Sequence, residues 1–118
     1  MMFVHLHVHS HFSFGESPTP PDALARRASS LRMPALALTD FGVMHGVPAF
    51  VAACRRYGLR PVVGMEVPCV VAGDRPAHAD RAMAGDRPAH PDRVFPVVLL
   101  ARNGTGYRNL CRDRKSVV

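Results

Sequence analysis

The chain has 118 residues, of which 47% are hydrophobic, and its formal net charge is +6 at neutral pH. That length and composition suffice for one small domain with a core, and they exclude a disordered chain. No stretch approaches the ~20 apolar residues of a membrane span, and no signal peptide is recognisable, which predicts a cytoplasmic protein without membrane contact. The charge comes almost wholly from arginine and fits a nucleic-acid context, and the three widely spaced cysteines are typical of reduced thiols.

The chain opens on a segment in which histidines alternate with apolar residues, and this pattern predicts a strand over residues 3–8. The histidines stand at every second position, at His5, His7, His9 and His11. Because side chains of a strand alternate between its two faces, we expect these four to share one face. Imidazole is a common metal ligand near neutral pH, so the pattern predicts a metal site and hydrolytic chemistry. A surface cluster, or histidines satisfied within the core, is the alternative interpretation.

The rest of the chain alternates helices with apolar strands. Helices are predicted over residues 23–31, 45–57 and 107–112, and strands over residues 35–39, 60–67 and 94–101. Pro21 and Asp22 are typical of a first helical turn, and Gly58 is well placed to end the second helix. Continuous apolar strands that alternate with helices predict an α/β fold with a parallel sheet or an α/β barrel.

Residues 73–93 interrupt this alternation with a tandem repeat. The unit Gly-Asp-Arg-Pro-Ala-His begins at Gly73 and again at Gly85. Proline, glycine and charged residues in both copies predict a solvated loop insertion. The duplication by itself explains the regular spacing of His78 and His90, so a metal role for them is not favoured.

Polar residues stand near the carboxyl ends of three predicted strands: His7 and His9, then Asp40, then Glu66. In α/β barrels that end of the strands carries the active residues, so we expect these side chains at one rim. Glu66 interrupts an apolar strand, where a charge is costly unless it is paired or metal-bound, and a surface-facing position is the alternative. Asp40 is either a ligand or the cap of the next turn, and Glu16 either reaches the rim or stays solvated.

Ligand sets that mix nitrogen and oxygen suit Zn, Mn or Fe and differ from a closed structural zinc site. Several such ligands together could bind more than one divalent ion. Ions of this kind clamp the oxygens of a phosphate ester and generate hydroxide. Phosphoester hydrolysis is therefore the reaction class that the sequence favours.

Several stretches resemble the PHP (polymerase and histidinol phosphatase) domain. They cover residues 5–10, 34–42, 61–67 and 98–110. The last stretch is similar to the domain at the N-terminus of the bacterial DNA polymerase III alpha subunit, replicative or error-prone, and unlike the stand-alone phosphatases. The resemblance implies the N-terminal portion of a distorted (β/α)7 barrel with parallel strands, incomplete in this chain and spanning residues 1–112.

The resemblance also implies a set of site residues. His7 and His9 match the first pair of metal ligands, and Glu66 matches the bridging carboxylate. Glu16 falls where the polymerase family usually has an aspartate, and we count it as a fourth metal ligand. Asp40 matches the aspartate of a Thr-Asp-His-Gly motif, and with Glu66 it is the expected catalytic carboxylate.

One position departs from the family pattern, because Phe41 stands where that motif has histidine. A phenyl ring has no lone pair to donate, so this chain lacks one of the family's ligands. Some polymerase members have a metal-dependent 3′–5′ exonuclease in this domain, and in others the domain is inactive and structural. Phe41 favours the inactive kind, and whether this chain is an enzyme stays open.

The resemblance finally implies a fragment, because PHP domains run well past 118 residues. In the parent polymerase the domain would serve DNA replication or repair synthesis, with DNA and other replicase subunits as partners. A stand-alone phosphatase of a small phosphate monoester and a non-catalytic scaffold are the alternative functions. Residues 113–118 depart from the family pattern and are expected to be a non-native tail.

Overall fold

The computed structural model describes residues 2–70 and 94–116, which form a mixed α/β fold. In chain order the elements are α1 (Pro21–Ser30), β1 (Ala35–Leu38), α2 (Val47–Arg56), β2 (Arg60–Val70), β3 (Val94–Leu100) and α3 (Gly104–Ser116). Each element predicted after residue 20 is present, and α3 continues into the expected tail. The loop insertion predicted for residues 73–93 lies outside the described residues. In the part of the chain that is described, no helix has the length and apolar character needed to cross a membrane.

The opening segment, residues 3–11, runs beside β1, but the prediction of a strand over residues 3–8 is wrong. The N–H of Ala37 donates to the carbonyl of His5 at 3.0 Å, and the N–H of Thr39 donates to the carbonyl of Val8 at 2.8 Å. From the first bond to the second the opening segment advances by three residues, whereas the chain along β1 advances by two. The regular hydrogen-bond ladder of a parallel strand pair therefore does not form. The hydroxyl of Thr39 fills the gap by accepting the N–H of Val8 at 3.0 Å.

The sheet has the strand order β1-β2-β3, and β2 changes partner along its length. Its first part pairs in parallel with β1, from Ala35 opposite Arg60 onwards. Its second part pairs with β3 in antiparallel fashion, beginning with Gly64 opposite Leu100. The predicted parallel arrangement therefore holds for β1 and β2 and is wrong for β3. An antiparallel return needs no crossover helix, and the sequence between these two strands predicts none. The (β/α)7 barrel stays a prediction.

Two apolar clusters join the helices to the sheet. The first lies between α1, α2 and β1 and contains Ala25, Ala28, Leu36, Leu38, Phe50, Ala53, Cys54 and Leu59. The second joins α2, β2 and α3 and contains Met44, Val47, Met65 and Leu110. On α1 and α2 the buried residues follow helical spacing, as Ala25 and Ala28 do on α1 and Val47, Phe50 and Cys54 on α2, which places them on one face of each helix. These contacts fix the strands whose ends carry the candidate site.

Gly64 stands where β2 changes partner, and its missing side chain lets three segments approach one another. A Cβ atom at this position would lie 2.9 Å from Cδ2 of Leu100 and 2.9 Å from Cγ2 of Thr39, and it would overlap the carbonyl oxygen of Leu99. A glycine inside a strand often marks such a close approach. The geometry around Glu66, two residues further along β2, therefore depends on a glycine here.

Replacing Gly64 by alanine is expected to lower the free energy of unfolding by about 1–3 kcal/mol, because overpacking forces the backbone to shift. Gly104→Ala is the matched control, since a Cβ there meets only the side chain of Arg108, at 4.0 Å. Alanine favours a helix over glycine, so the control should be neutral or slightly stabilising. Urea unfolding followed by circular dichroism measures both changes. A Gly64→Ala protein as stable as the parent would contradict the close approach.

Candidate metal centre

Two histidines of the opening segment meet one carboxylate of β2. Nε2 of His7 lies 2.7 Å from Oε2 of Glu66, and Nε2 of His9 lies 2.5 Å from the same oxygen. One potential ligand atom from each residue lies within 4.8 Å of the other two. Among the described residues, His7, His9 and Glu66 lie close enough together to bind one metal ion. We call these three residues the compact group.

The backbone around Glu66 explains how the three residues meet. Phe41 forms a parallel bridge with Glu66, and the N–H of Glu66 donates to the carbonyl of Asp40 at 3.1 Å. The N–H of Gly42 donates in turn to the carbonyl of Glu66 at 2.8 Å. The residues that follow β1 therefore have β2 on one side and the opening segment on the other. His7, His9 and Glu66 thus come together, although Glu66 lies within β2 and not at its carboxyl end as the sequence predicted.

The three side chains differ in their exposure to solvent. The side chain of Glu66 is 10% exposed, that of His9 is 19% exposed and that of His7 is 55% exposed. Burial raises the pKa of Glu66, but the hydrogen bonds and charges of the two histidines outweigh it, so the pKa of this carboxyl lies below its usual value. Glu66 is therefore ionised at neutral pH, which is the state in which a carboxylate binds a cation.

The donor set fits a divalent metal ion. Each imidazole must carry a proton on Nε2 to donate to Glu66, and a metal ion would bind the deprotonated nitrogen instead. Binding of an ion through Nε2 would therefore require these protons to leave Nε2, either to solvent or to Nδ1. Two imidazoles and one carboxylate are typical of open sites, in which three protein ligands leave coordination positions for water or substrate.

The four alternating histidines do not act as one set. His5 packs edge-on against Phe3, with the ring centroids 4.7 Å apart. His11 stacks on Phe12 at 4.4 Å, because a turn begins at His11 and the chain leaves its extended path. The extended segment on which the shared face was predicted ends at His11, where the chain turns, and of these four histidines His7 and His9 contact Glu66.

A groove of about 540 Å³ lies beside the metal centre, between the opening segment and α1. His5, His7 and His9 line one side, and apolar side chains such as Leu24 line the other. Glu16 also lines this groove and is exposed, but it is not a member of the compact group. Its role as a ligand stays a prediction that the family resemblance implies.

Asp40 is buried next to the metal centre, and its carboxylate is bonded to two serines. Oδ1 accepts the N–H of Ser10 at 2.6 Å and the hydroxyl of Ser13 at 2.8 Å, and Oδ2 accepts the hydroxyl of Ser10 at 2.8 Å. Both serines are buried too, and sequence analysis did not identify them. Only Ser10 has a feature in the sequence that points to the site, since it directly follows His9. A catalytic role for Asp40 stays a prediction.

Comparison with known proteins identifies relatives of this chain. The family model of the PHP domain matches residues 5–113. DNA polymerase III subunit alpha of Treponema pallidum is 39% identical over 112 residues, which cover 93% of this chain and 9% of that protein. The same subunit of Bacillus subtilis is 36% identical over 112 residues, which cover 95% of this chain and 9% of that protein. The chain therefore spans a small part of the length of these relatives.

Solved structures share the fold. An amidohydrolase from Chromobacterium violaceum superimposes with a TM-score of 0.65 at 26% identity and covers 96% of this chain and 32% of its own. A proposed metal-dependent phosphoesterase from Bifidobacterium adolescentis gives a TM-score of 0.55 at 16% identity, covering 92% of this chain and 31% of its own, and shows the fold alone. Since the family model matches nearly the whole sequence, from the histidine-rich opening segment to α3, the chain belongs to the PHP domain family.

Proposed function

We propose that this chain is the N-terminal part of the PHP domain of a DNA polymerase III alpha subunit, and that His7, His9 and Glu66 bind a divalent metal ion for phosphoester hydrolysis. One observation carries this proposal: two imidazole nitrogens meet a single carboxylate oxygen, at 2.7 and 2.5 Å. A carboxylate in an apolar strand is costly unless it has partners. Here both partners are imidazoles, side chains that commonly bind metal ions, which favours a metal centre over a purely structural ion pair.

Each of the three residues would have its own role in binding the ion. Glu66 supplies the negative charge and fixes the position of the centre, because it belongs to the central strand. His7 and His9 both line the groove through which a phosphate ester would approach, and His7 is the more exposed of the two. Zn, Mn or Fe bound there would lower the pKa of a coordinated water and polarise a phosphoryl oxygen.

The relatives support a setting in DNA replication or repair synthesis. They are DNA polymerase III alpha subunits, and on that basis we propose DNA and other replicase subunits as partners of the parent protein, in the cytoplasm. The net charge of +6 favours a polyanionic substrate. Cleavage of the 3′–5′ exonuclease type is the finer form of this proposal.

Phe41 favours a second candidate function, that of a non-catalytic scaffold. Its backbone pairs with that of Glu66, and paired positions of neighbouring strands project to the same side of a sheet. Phe41 is 39% exposed and stands where the family motif has an imidazole. With one ligand fewer the centre would bind metal weakly, and the domain would support the polymerase fold or a partner without chemistry.

Glu66→Gln is expected to weaken metal binding, because the amide keeps the shape of the side chain but loses its charge. Substituting a residue that only hydrogen-bonds to a ligand typically weakens binding roughly 10–100-fold, and the loss of a ligand should exceed that. Isothermal titration with Mn²⁺ and Zn²⁺, and metal analysis after gel filtration, measure the effect. Asp22→Asn is the control, since Asp22 pairs with Arg56 at 2.7 Å between α1 and α2 and should not influence the centre. A Glu66→Gln protein that retains stoichiometric metal would refute the ligand assignment.

Nuclease assays distinguish the two candidate functions. The Mn²⁺-loaded chain is incubated with a single-stranded DNA oligonucleotide labelled at its 5′ end, and the products are separated by size. Stepwise shortening from the 3′ end that disappears in Glu66→Gln would support the hydrolytic function. Metal binding without any shortening would support the scaffold.

Phe41→His is expected to tighten metal binding on the order of tenfold, because an added imidazole beside Glu66 supplies a further nitrogen ligand. Phe41→Leu is the matched control, since it removes the ring and adds no ligand. Titration of both proteins with Mn²⁺ gives the comparison. Equal affinities for the two variants would show that position 41 does not reach the ion.

A further inference from the structure

We infer that Asp40 is the positioning residue of this site, because its side chain fixes the backbone beside His9 while its own backbone carbonyl binds Glu66. The inference deepens the proposed function, since it concerns the same metal centre. It assigns Asp40 no contact with the ion or with substrate. Its action passes through hydrogen bonds to residues that adjoin the ligands.

The side chain of Asp40 determines where His9 lies. Its Oδ1 accepts the N–H of Ser10 at 2.6 Å, and that N–H belongs to the peptide group directly after His9. Its Oδ2 accepts the hydroxyl of the same serine at 2.8 Å. Hydrogen bonds to a carboxylate are shorter and stronger than those between neutral groups. Two of them on one residue fix the backbone from which the His9 side chain extends.

The backbone of Asp40 determines where Glu66 lies. Its carbonyl accepts the N–H of Glu66 at 3.1 Å, and the bond from Gly42 to the carbonyl of Glu66 secures the other side of the same residue. His9 and Glu66 are separated by 57 positions in the sequence. Asp40 is the residue that hydrogen-bonds, within the described chain, both to Glu66 and to the residue next to His9.

The surroundings of Asp40 leave its carboxylate little freedom. The hydroxyl of Ser13 donates to Oδ1 at 2.8 Å and accepts the N–H of Phe41 at 2.8 Å, so it ties the turn after His9 to the segment after β1. On the opposite side, a Cβ atom at Gly46 would lie 3.2 Å from Oδ2 and 2.9 Å from the ring of Phe12. The carboxylate is thus enclosed, and water has little room to replace a missing partner.

These contacts predict graded effects of substitution. Asparagine at position 40 has the same shape but one acceptor oxygen, so in either orientation at least one N–H or O–H donor of the serines loses its acceptor. Alanine removes every side-chain contact and threatens the fold itself. Asp40→Asn and Ser13→Ala are therefore the informative variants. Both should let the backbone beside His9 relax without unfolding the domain.

The test measures Mn²⁺ affinity for the 118-residue chain and its variants by isothermal titration, well below each thermal transition. Circular dichroism confirms that each variant is folded. Asp40→Asn and Ser13→Ala are expected to bind Mn²⁺ on the order of tenfold more weakly than the parent. Ser29→Ala is the matched control, because its hydroxyl donates to the carbonyl of Tyr57 at 3.1 Å and so joins α1 to the C-terminal end of α2. It should leave the affinity unchanged even if it lowers the transition temperature.

A purely structural role would lower the transition temperature and leave the affinity of the folded protein unchanged. Parental affinity in folded Asp40→Asn and Ser13→Ala would therefore overturn the inference. If the parent itself binds no metal, the proposed function fails, and metal-free ¹⁵N spectra of the histidine side chains decide the positioning role. The His9 signals, identified by their absence from the spectrum of His9→Gln, should shift in Asp40→Asn and not in Ser29→Ala. Unchanged His9 signals in Asp40→Asn would overturn the inference.

Discussion

The candidate site depends on the short segment that follows β1, because that segment joins two parts of the chain that do not otherwise bond to each other through their backbones in the described structure. On one side Thr39 bonds to Val8 through both its N–H and its hydroxyl. On the other side Asp40 and Gly42 bond to the N–H and the carbonyl of Glu66. The histidines and the glutamate are distant in sequence, so their contact is a consequence of these bonds.

Two carboxylates lie close together in this region, and their surroundings give them different capacities. Asp40 accepts bonds from a backbone N–H and from serine hydroxyls, none of which binds a metal ion readily. Glu66 accepts bonds from two imidazoles, one of them well exposed to solvent. Both arrangements offset the cost of burying a carboxylate, but only the second is made of side chains that commonly bind metal ions. The hydrogen-bond partners of each carboxylate therefore decide its role: the two histidines make Glu66 a candidate metal ligand, and the two serines make Asp40 a structural residue.

Sequence predicted the helices and most strands because spacing and end signals are local: α2, for example, buries Val47, Phe50 and Cys54 on one face and ends before Gly58. It also identified the two central histidines and Glu66, since a charge inside an apolar strand is a strong signal. It missed the irregular path of the opening segment, because the side chain of Thr39, a distant residue, takes the place of a ladder bond. It missed Ser10 and Ser13 for the same reason: nothing in their local pattern reveals a partner 30 or 27 positions away.

Phe41 stands where the family motif has histidine, and this position shows that the backbone and the side chain contribute separately to the segment after β1. The contribution of position 41 to the architecture is made by its backbone, through the N–H that donates to Ser13 and the bridge to Glu66. Any residue other than proline can provide those contacts. Because the ring itself is partly exposed, core packing does not demand a particular side chain there. The side chain at this position can therefore change while Asp40 and the fold stay in place, and under the proposed function such a change would alter the ligands of the metal centre without altering the architecture.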